Sequence, residues 1–117
     1  MNLETDLYNT LKTVCIRVYP DLAPQGTARP YITWQQIGGG VIKPLANVLP
    51  DKRNAFIQIN VWAETRLQAN TISIDIETAL VQSTLFIARP QGALMAVFEE
   101  ETQLCGAMQD FSIWAVR

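Results

Sequence analysis

Residues 55–63 alternate strictly between apolar and more polar side chains, and this pattern restricts the fold of the whole chain. Alternation with a period of two predicts a β-strand with one face in the core. The residues expected in that core are Ile57, Ile59, Val61 and Ala63. The other face carries Phe56, Gln58, Asn60 and Trp62. Its polar centre and aromatic ends suit partial cover by a neighbouring molecule.

Two other segments follow the helical period. Apolar residues from Leu3 onward predict an amphipathic helix over residues 3–18, with Asn2 as its N-cap and Pro20 ending it. A second helix is predicted over residues 66–84, with Thr65 as its N-cap. The residues that follow its period are Leu67, Ala69, Ile72, Ile76, Ala79, Leu80 and Ser83.

Three more strands are predicted from β-branched, aromatic or alternating residues, over residues 31–37, 94–99 and 107–116. Prolines make residues 20–30 an ordered irregular connection, and residues 89–92 carry a turn signal. The element order α-β-β-α-β-β predicts a single α+β domain of 117 residues. We expect two helices packed on a sheet of about four mostly antiparallel strands.

Composition excludes several classes of function. The chain has no histidine, which removes the commonest general base and the commonest zinc ligand. Its net charge of −2 argues against specific binding of nucleic acid. We therefore expect no enzyme activity, catalytic residue, cofactor or metal. We also expect no membrane association, and a soluble intracellular protein, because the first residues do not resemble a signal peptide.

Charged residues make up only 17% of the chain, against about 25% in typical domains. This shortage indicates that part of the surface is covered by a partner. The acidic run Glu99–Glu101 is interpreted as a solvated hairpin end rather than a metal site, because neighbouring residues of a strand point to opposite faces. Cys15 and Cys105 are expected to be free thiols.

A long connection, residues 38–53, is the most informative segment for function, and we call it the aliphatic segment. It opens with three glycines and contains two prolines, which favours a flexible arm. Its large apolar residues are Val41, Ile42, Leu45, Val48 and Leu49. Five such side chains left in water would form a sizeable apolar patch. They either fold onto the chain's own core or dock on another chain, and we favour the second.

We predict that these five residues contact another protein. Lys52 and Arg53, at the end of the aliphatic segment, are included in the predicted contact. Weaker candidates are Gln58, Asn60 and Trp62, on the less apolar face of the predicted strand.

Residues 19–26 (Tyr-Pro-Asp-Leu-Ala-Pro-Gln-Gly), followed by residues 29–34 (Arg-Pro-Tyr-Ile-Thr-Trp), resemble a family of tailed-bacteriophage and prophage proteins. These are the tail-completion, or tail-to-head joining, proteins. Residues 57–63 (Ile-Gln-Ile-Asn-Val-Trp-Ala) resemble a strand of the same family. The shared motifs are structural and carry no active site.

The resemblance implies a non-enzymatic subunit that assembles with itself as a ring, commonly a hexamer, at the head–tail junction. The implied partners are a head-completion or connector protein and the tail tube protein. The implied location is the virion, with assembly in the bacterial cytoplasm. A tail terminator that caps the tube, and a cellular ligand-binding α+β module, remain the alternatives.

Overall fold

The computed structural model describes residues 2–40 and 52–116. Its elements are α1 (Leu3–Lys12), β1 (Val18–Pro20), β2 (Tyr31–Gly38), β3 (Lys52–Ala63), α2 (Arg66–Gln82), β4 (Ile87–Pro90), β5 (Met95–Glu99) and β6 (Leu104–Val116). Neither α1 nor α2 is long and apolar enough to cross a bilayer. Over the same described ranges, no three potential metal-ligating side chains lie together.

The six strands form one mixed sheet in the order β1-β2-β3-β6-β4, and β5 also pairs with β6. The β1–β2 pair is parallel, and the other pairs are antiparallel. The long strands β3 and β6 form the centre, with a register that runs from Lys52 opposite Val116 to Ala63 opposite Cys105. Because β3 occupies one edge of β6, β4 and β5 follow each other along its other edge.

Both helices lie on one face of the sheet, and the core lies between the helices and the sheet. The helices contribute Leu7, Leu11, Ile76 and Leu80, all essentially fully buried. The alternating core residues predicted for β3 are buried, and Phe111 and Ile113 of β6 lie opposite Ile57 and Ala55. Each large apolar side chain moved out of water contributes roughly 1.5–3 kcal/mol to folding, so this layer provides most of the driving force.

The α+β class and the two helices on a sheet are confirmed, but the predicted number of strands is wrong. Across residues 2–40 and 52–116 the structure has six strands, in the element order α-β-β-β-α-β-β-β. The two strands that the sequence did not predict, β1 and β4, are short, and each ends at a proline. Proline lacks the N–H that an interior strand needs, whereas an edge strand tolerates it.

The first helix ends earlier than predicted, at Lys12 rather than residue 18. Its last turn closes with a hydrogen bond from the Thr13 N–H to the Thr10 carbonyl, 3.2 Å long. The chain then extends, and the Ile32 N–H donates to the Arg17 carbonyl at 2.9 Å. Pairing with β2 therefore replaces the last helical turns. Cys15 is still buried, and neither cysteine forms a disulfide.

The second helix matches its predicted start, because the Thr65 side chain accepts from the Gln68 N–H at 3.1 Å. Its buried face is made of Ala69, Ser73, Ile76 and Leu80. Leu67, which the helical period grouped with the apolar positions, is 77% exposed and lies on the other side of the helix.

Candidate interaction surface

The face of the sheet opposite the helices carries the residues that the sequence analysis selected from β3. Gln58, Asn60 and Trp62 lie on it, and their partners across β6 are Asp110, Met108 and Gly106. We call this the helix-free face. No helix of the described ranges packs on it, and many of its side chains are half-buried or exposed, whereas Thr33, Asn54 and Ser112 are buried by their neighbours within the sheet.

One end of the helix-free face is apolar. Phe56 and Ile87 are 38% and 56% exposed, and Val116 is 64% exposed. The half-buried Trp114 lies opposite Asn54 of β3 and Ile87 of β4, so these side chains are neighbours. We call Phe56, Ile87, Trp114 and Val116 the apolar end. Exposed apolar clusters of this kind are typical of surfaces that another protein covers.

The middle of the helix-free face is polar. Gln35 of β2, Gln58 of β3 and Asp110 of β6 follow one another across the sheet. The Oδ1 atom of Asp110 is buried and has no hydrogen-bond partner among the described residues. A buried acceptor left unpaired is costly, so this oxygen lowers the stability of the polar middle.

The other end of the helix-free face holds an open cavity of about 420 Å³. Its floor is formed by Tyr31, Asn60 and Trp62. Its walls are the irregular connection after β1 and the hairpin between β5 and β6, where the predicted acidic run lies. Glu99 from that hairpin lines the cavity, and Glu100 and Glu101 are exposed at the hairpin end as expected.

Arginine side chains fix the connection that walls the cavity. Arg29 donates to the carbonyl of Thr102 at 2.6 Å and forms an ion pair with Glu64 at 3.3 Å. Arg17 donates from Nε to the Pro30 carbonyl at 2.9 Å. These bonds join the proline-rich motif that resembles the phage family to the β5–β6 hairpin, so the motif has a structural role.

The hydroxyl of Tyr31 has a shifted pKa. Burial raises the pKa above the ordinary value, and the Glu99 carboxylate raises that pKa further, while Arg29 opposes both. A phenol is neutral at physiological pH even at its ordinary pKa, so Tyr31 offers a hydrogen-bond donor on the floor of the cavity.

The Trp62 ring lies flat against the backbone of Gly106. A Cβ atom added at Gly106 would lie 2.9 Å from the ring atom Cζ3 of Trp62, closer than side chains approach one another. Arg66 donates to the Gly106 carbonyl and, at 2.7 Å, to the Val97 carbonyl of β5. The absence of a side chain at position 106 thus allows the aromatic floor of the cavity to form.

Gly106→Ala is expected to displace the Trp62 ring and lower the free energy of unfolding by about 1–3 kcal/mol, because the added methyl overpacks the contact. Near-ultraviolet circular dichroism and thermal unfolding measure both effects. Gly92→Ala is the matched control, since a Cβ at Gly92 meets no atom within 4 Å. Equal transitions for the two variants would contradict the proposed contact.

Asn54, which the sequence analysis did not select, holds neighbouring parts of the fold together through its side-chain hydrogen bonds. It is buried, accepts from the Gly40 N–H at 2.8 Å and donates to Ser112 Oγ at 2.9 Å and the Ile113 carbonyl at 3.2 Å. It therefore ties the end of β2 to β3 and β6, at the two points where the aliphatic segment leaves and rejoins the sheet. An asparagine beside a predicted strand gives no local signal of this role.

The structure separates the other predicted contact residues. Lys52 lies at the start of β3 on the side of the helix-free face, next to Val116 in register. Arg53 points to the helix side and pairs with Glu4 of α1 at 3.1 Å. The five predicted apolar contacts, Val41, Ile42, Leu45, Val48 and Leu49, lie outside the described residues.

Together, the fold and this surface define a small α+β protein with an open sheet face. The family model for tail completion protein gp17 matches residues 5–115. This chain belongs to that family of structural phage tail proteins, and the resemblance seen in the sequence is confirmed.

A solved structure of the gp17 protein of bacteriophage SPP1 has a similar fold. The TM-score is 0.59 and the sequence identity 14%, over 95% of this chain and 86% of that one. At this identity the likeness concerns the fold alone. No curated protein matches the sequence.

Proposed function

We propose that this protein completes the phage tail by assembling as a ring at the head–tail junction, where it joins the tail to the head. Family membership supports a tail-completion role and contact with other virion proteins. The ring, its position and its neighbours are our proposal. A closed ring repeats one contact between two different surfaces of the subunit.

The observation that carries the proposal is the position of the apolar end. The aliphatic segment leaves the sheet at the end of β2 and rejoins it at the start of β3. Phe56 lies opposite Gly38 in register, and Val116 lies opposite Lys52. Both described ends of the aliphatic segment thus join the sheet beside side chains of the apolar end.

We propose that these two apolar sets contact the neighbouring subunit together. Apolar burial would supply the free energy of association, at about 25 cal/mol per Å² removed from water. Gln58 would contribute hydrogen bonds in the polar middle of the face, and Asn60 would do so at the cavity end. Trp62 would take part from the cavity end of the same face.

The test replaces residues 41–50 by a glycine–serine linker of equal length. We expect a thermal transition close to that of the parent protein and loss of head-to-tail joining in a complementation assay with purified heads and tails. A second variant, Ile87→Asn, should weaken joining, because it places an amide in the apolar end. Ile16→Asn, at a side chain 69% exposed on the connection between α1 and β1, is the matched control.

Two outcomes would contradict this proposal. Loss of folding in the linker variant would show that the aliphatic segment belongs to the core of its own subunit. Normal joining by the linker variant would show that the segment makes no essential contact. The mass of the protein in solution, alone and with head or tail proteins, tests the ring itself.

The tail terminator role predicts a different binding partner. A terminator binds isolated tail tubes and stops their growth, whereas a joining protein also binds filled heads. Adding the purified protein separately to tubes and to heads, and detecting bound protein by sedimentation, distinguishes the two roles.

A further inference from the structure

Helix α2 carries a second apolar stripe, on the side opposite its buried face. The stripe consists of Leu67, Thr71, Ile74, Thr78 and Val81. Leu67, Ile74 and Val81 are 77%, 55% and 52% exposed. The hydroxyl of Thr78 donates to the Ile74 carbonyl at 3.1 Å, so its hydrogen bond is satisfied within the helix. We call these five residues the outer stripe. None of their side chains is charged.

The spacing of this outer stripe is that of a helix-binding seam. Its members follow one another at intervals of four, three, four and three residues, which is the pattern that packs against another helix at a shallow crossing angle. The stripe extends over about 21 Å at 1.5 Å per residue. A helix that is apolar on two opposite sides is typical of one covered on both.

The charges beside the outer stripe specify the kind of helix that fits it. The charged residues of α2 are Arg66, Asp75 and Glu77. Arg66 is bound to backbone carbonyls, and Glu77 accepts from Gln109 Nε2 at 3.4 Å. Asp75 is exposed beside Ile74, and no cation of the described ranges pairs with it.

A second copy of α2 is a poor occupant. In an antiparallel pair of α2 helices centred on the outer stripe, the two Asp75 carboxylates come next to each other and repel. The positions that flank the stripe hold Gln68, Asn70, Asp75, Glu77 and Gln82, so a second α2 helix offers no cation there.

We propose that the outer stripe of α2 docks an amphipathic α-helix of another protein, which has apolar residues at the same spacing and a lysine or arginine facing Asp75. This surface lies on the helix side of the sheet, away from the helix-free face. It therefore gives the subunit a second binding site, independent of the proposed ring contact.

The test uses the full-length protein and two fluorescently labelled synthetic peptides. Both peptides are helical, with leucines at three- and four-residue spacing. One has lysines and the other glutamates at the flanking positions. Fluorescence anisotropy is expected to show binding of the lysine-flanked peptide, about tenfold weaker binding by Ile74→Asn, and weaker binding at high salt.

Charge reversal provides the specific readout. Asp75→Lys should weaken binding of the lysine-flanked peptide and strengthen binding of the glutamate-flanked one. Ile16→Asn, at a side chain 69% exposed on the connection between α1 and β1, is the matched control and should bind as the parent does. Because Ile74 and Asp75 are exposed, thermal unfolding of their variants should change little.

Three outcomes would overturn this inference. The first is equal binding of both peptides by the parent, or no binding of either. The second is loss of binding in Ile87→Asn but not in Ile74→Asn, which would place the peptide on the helix-free face. The third is self-association of the parent protein that Ile74→Asn abolishes, which would make a second copy the occupant.

Discussion

Phe111→Ala is expected to lower the free energy of unfolding by about 3–5 kcal/mol, a large part of the 5–15 kcal/mol typical of a domain. Phe111 is fully buried in the middle of β6, opposite Ile57 of β3 and Pro90 of β4. Removing its ring leaves a cavity where the sheet and α2 meet. The lost stability is the sum of the free energy that burial of the ring contributed and the cost of the cavity left behind. Urea denaturation followed by tryptophan fluorescence measures this change.

The control for this prediction is the same chemical change at an exposed site. Phe98 lies on β5 and is 52% exposed. Phe98→Ala should lower the free energy of unfolding by only about 1 kcal/mol, because about half of this side chain is already in water. A similar loss at both positions would mean that the centre of the core lies elsewhere than between β6 and α2.

Asn54→Ala is expected to destabilise the protein by about 1–3 kcal/mol, although it removes little apolar surface. The substitution removes the buried hydrogen bonds to Ser112 Oγ and the Ile113 carbonyl, and buried polar groups left unpaired are costly. Because Asn54 ties the end of β2 to β3, we also expect faster hydrogen exchange at Gly40. Chemical denaturation and amide exchange measure the two effects.

Two variants separate the hydrogen bonds of Asn54 from its shape. Asn54→Asp keeps an oxygen for the Gly40 N–H but loses both donated bonds, so it should slow exchange at Gly40 relative to the alanine variant. Asn60→Ala is the matched control, because Asn60 is half-buried on the same strand face and its side chain makes no hydrogen bond within the described residues. A larger loss from Asn60→Ala than from Asn54→Ala would contradict the role given to Asn54.

The candidate surface could be predicted only in part. Alternation in β3 placed Gln58, Asn60 and Trp62 on one face, and the structure has them there. It could not place Arg53, which pairs with Glu4 on the other side. It also could not find Asp110 or Gly106, because they face this surface only through their register with β3. Register between strands about 50 residues apart is not encoded in either strand alone.

The resemblance to tail-completion proteins depended on short motifs, and the structure brings these motifs together. The proline-rich connection is bound to the β5–β6 hairpin by Arg29, and it walls the cavity whose floor includes Trp62. The first and last motifs of the resemblance therefore meet in space. Their residues hold the sheet together at one end and leave the opposite, apolar end open for contacts.

By itself, the sequence determined the features that depend on neighbours within a few residues: the caps at Asn2 and Thr65, the alternation of β3 and the α+β class. Only the tertiary structure decided where α1 ends, that β1 and β4 are strands, and which side of α2 is buried. The reason is that a helical turn competes with strand pairing, and two apolar stripes compete for one core. Partners that are distant along the chain decide the outcome in both cases. Ile32 forms a backbone hydrogen bond with Arg17, and β6 packs against one side of α2.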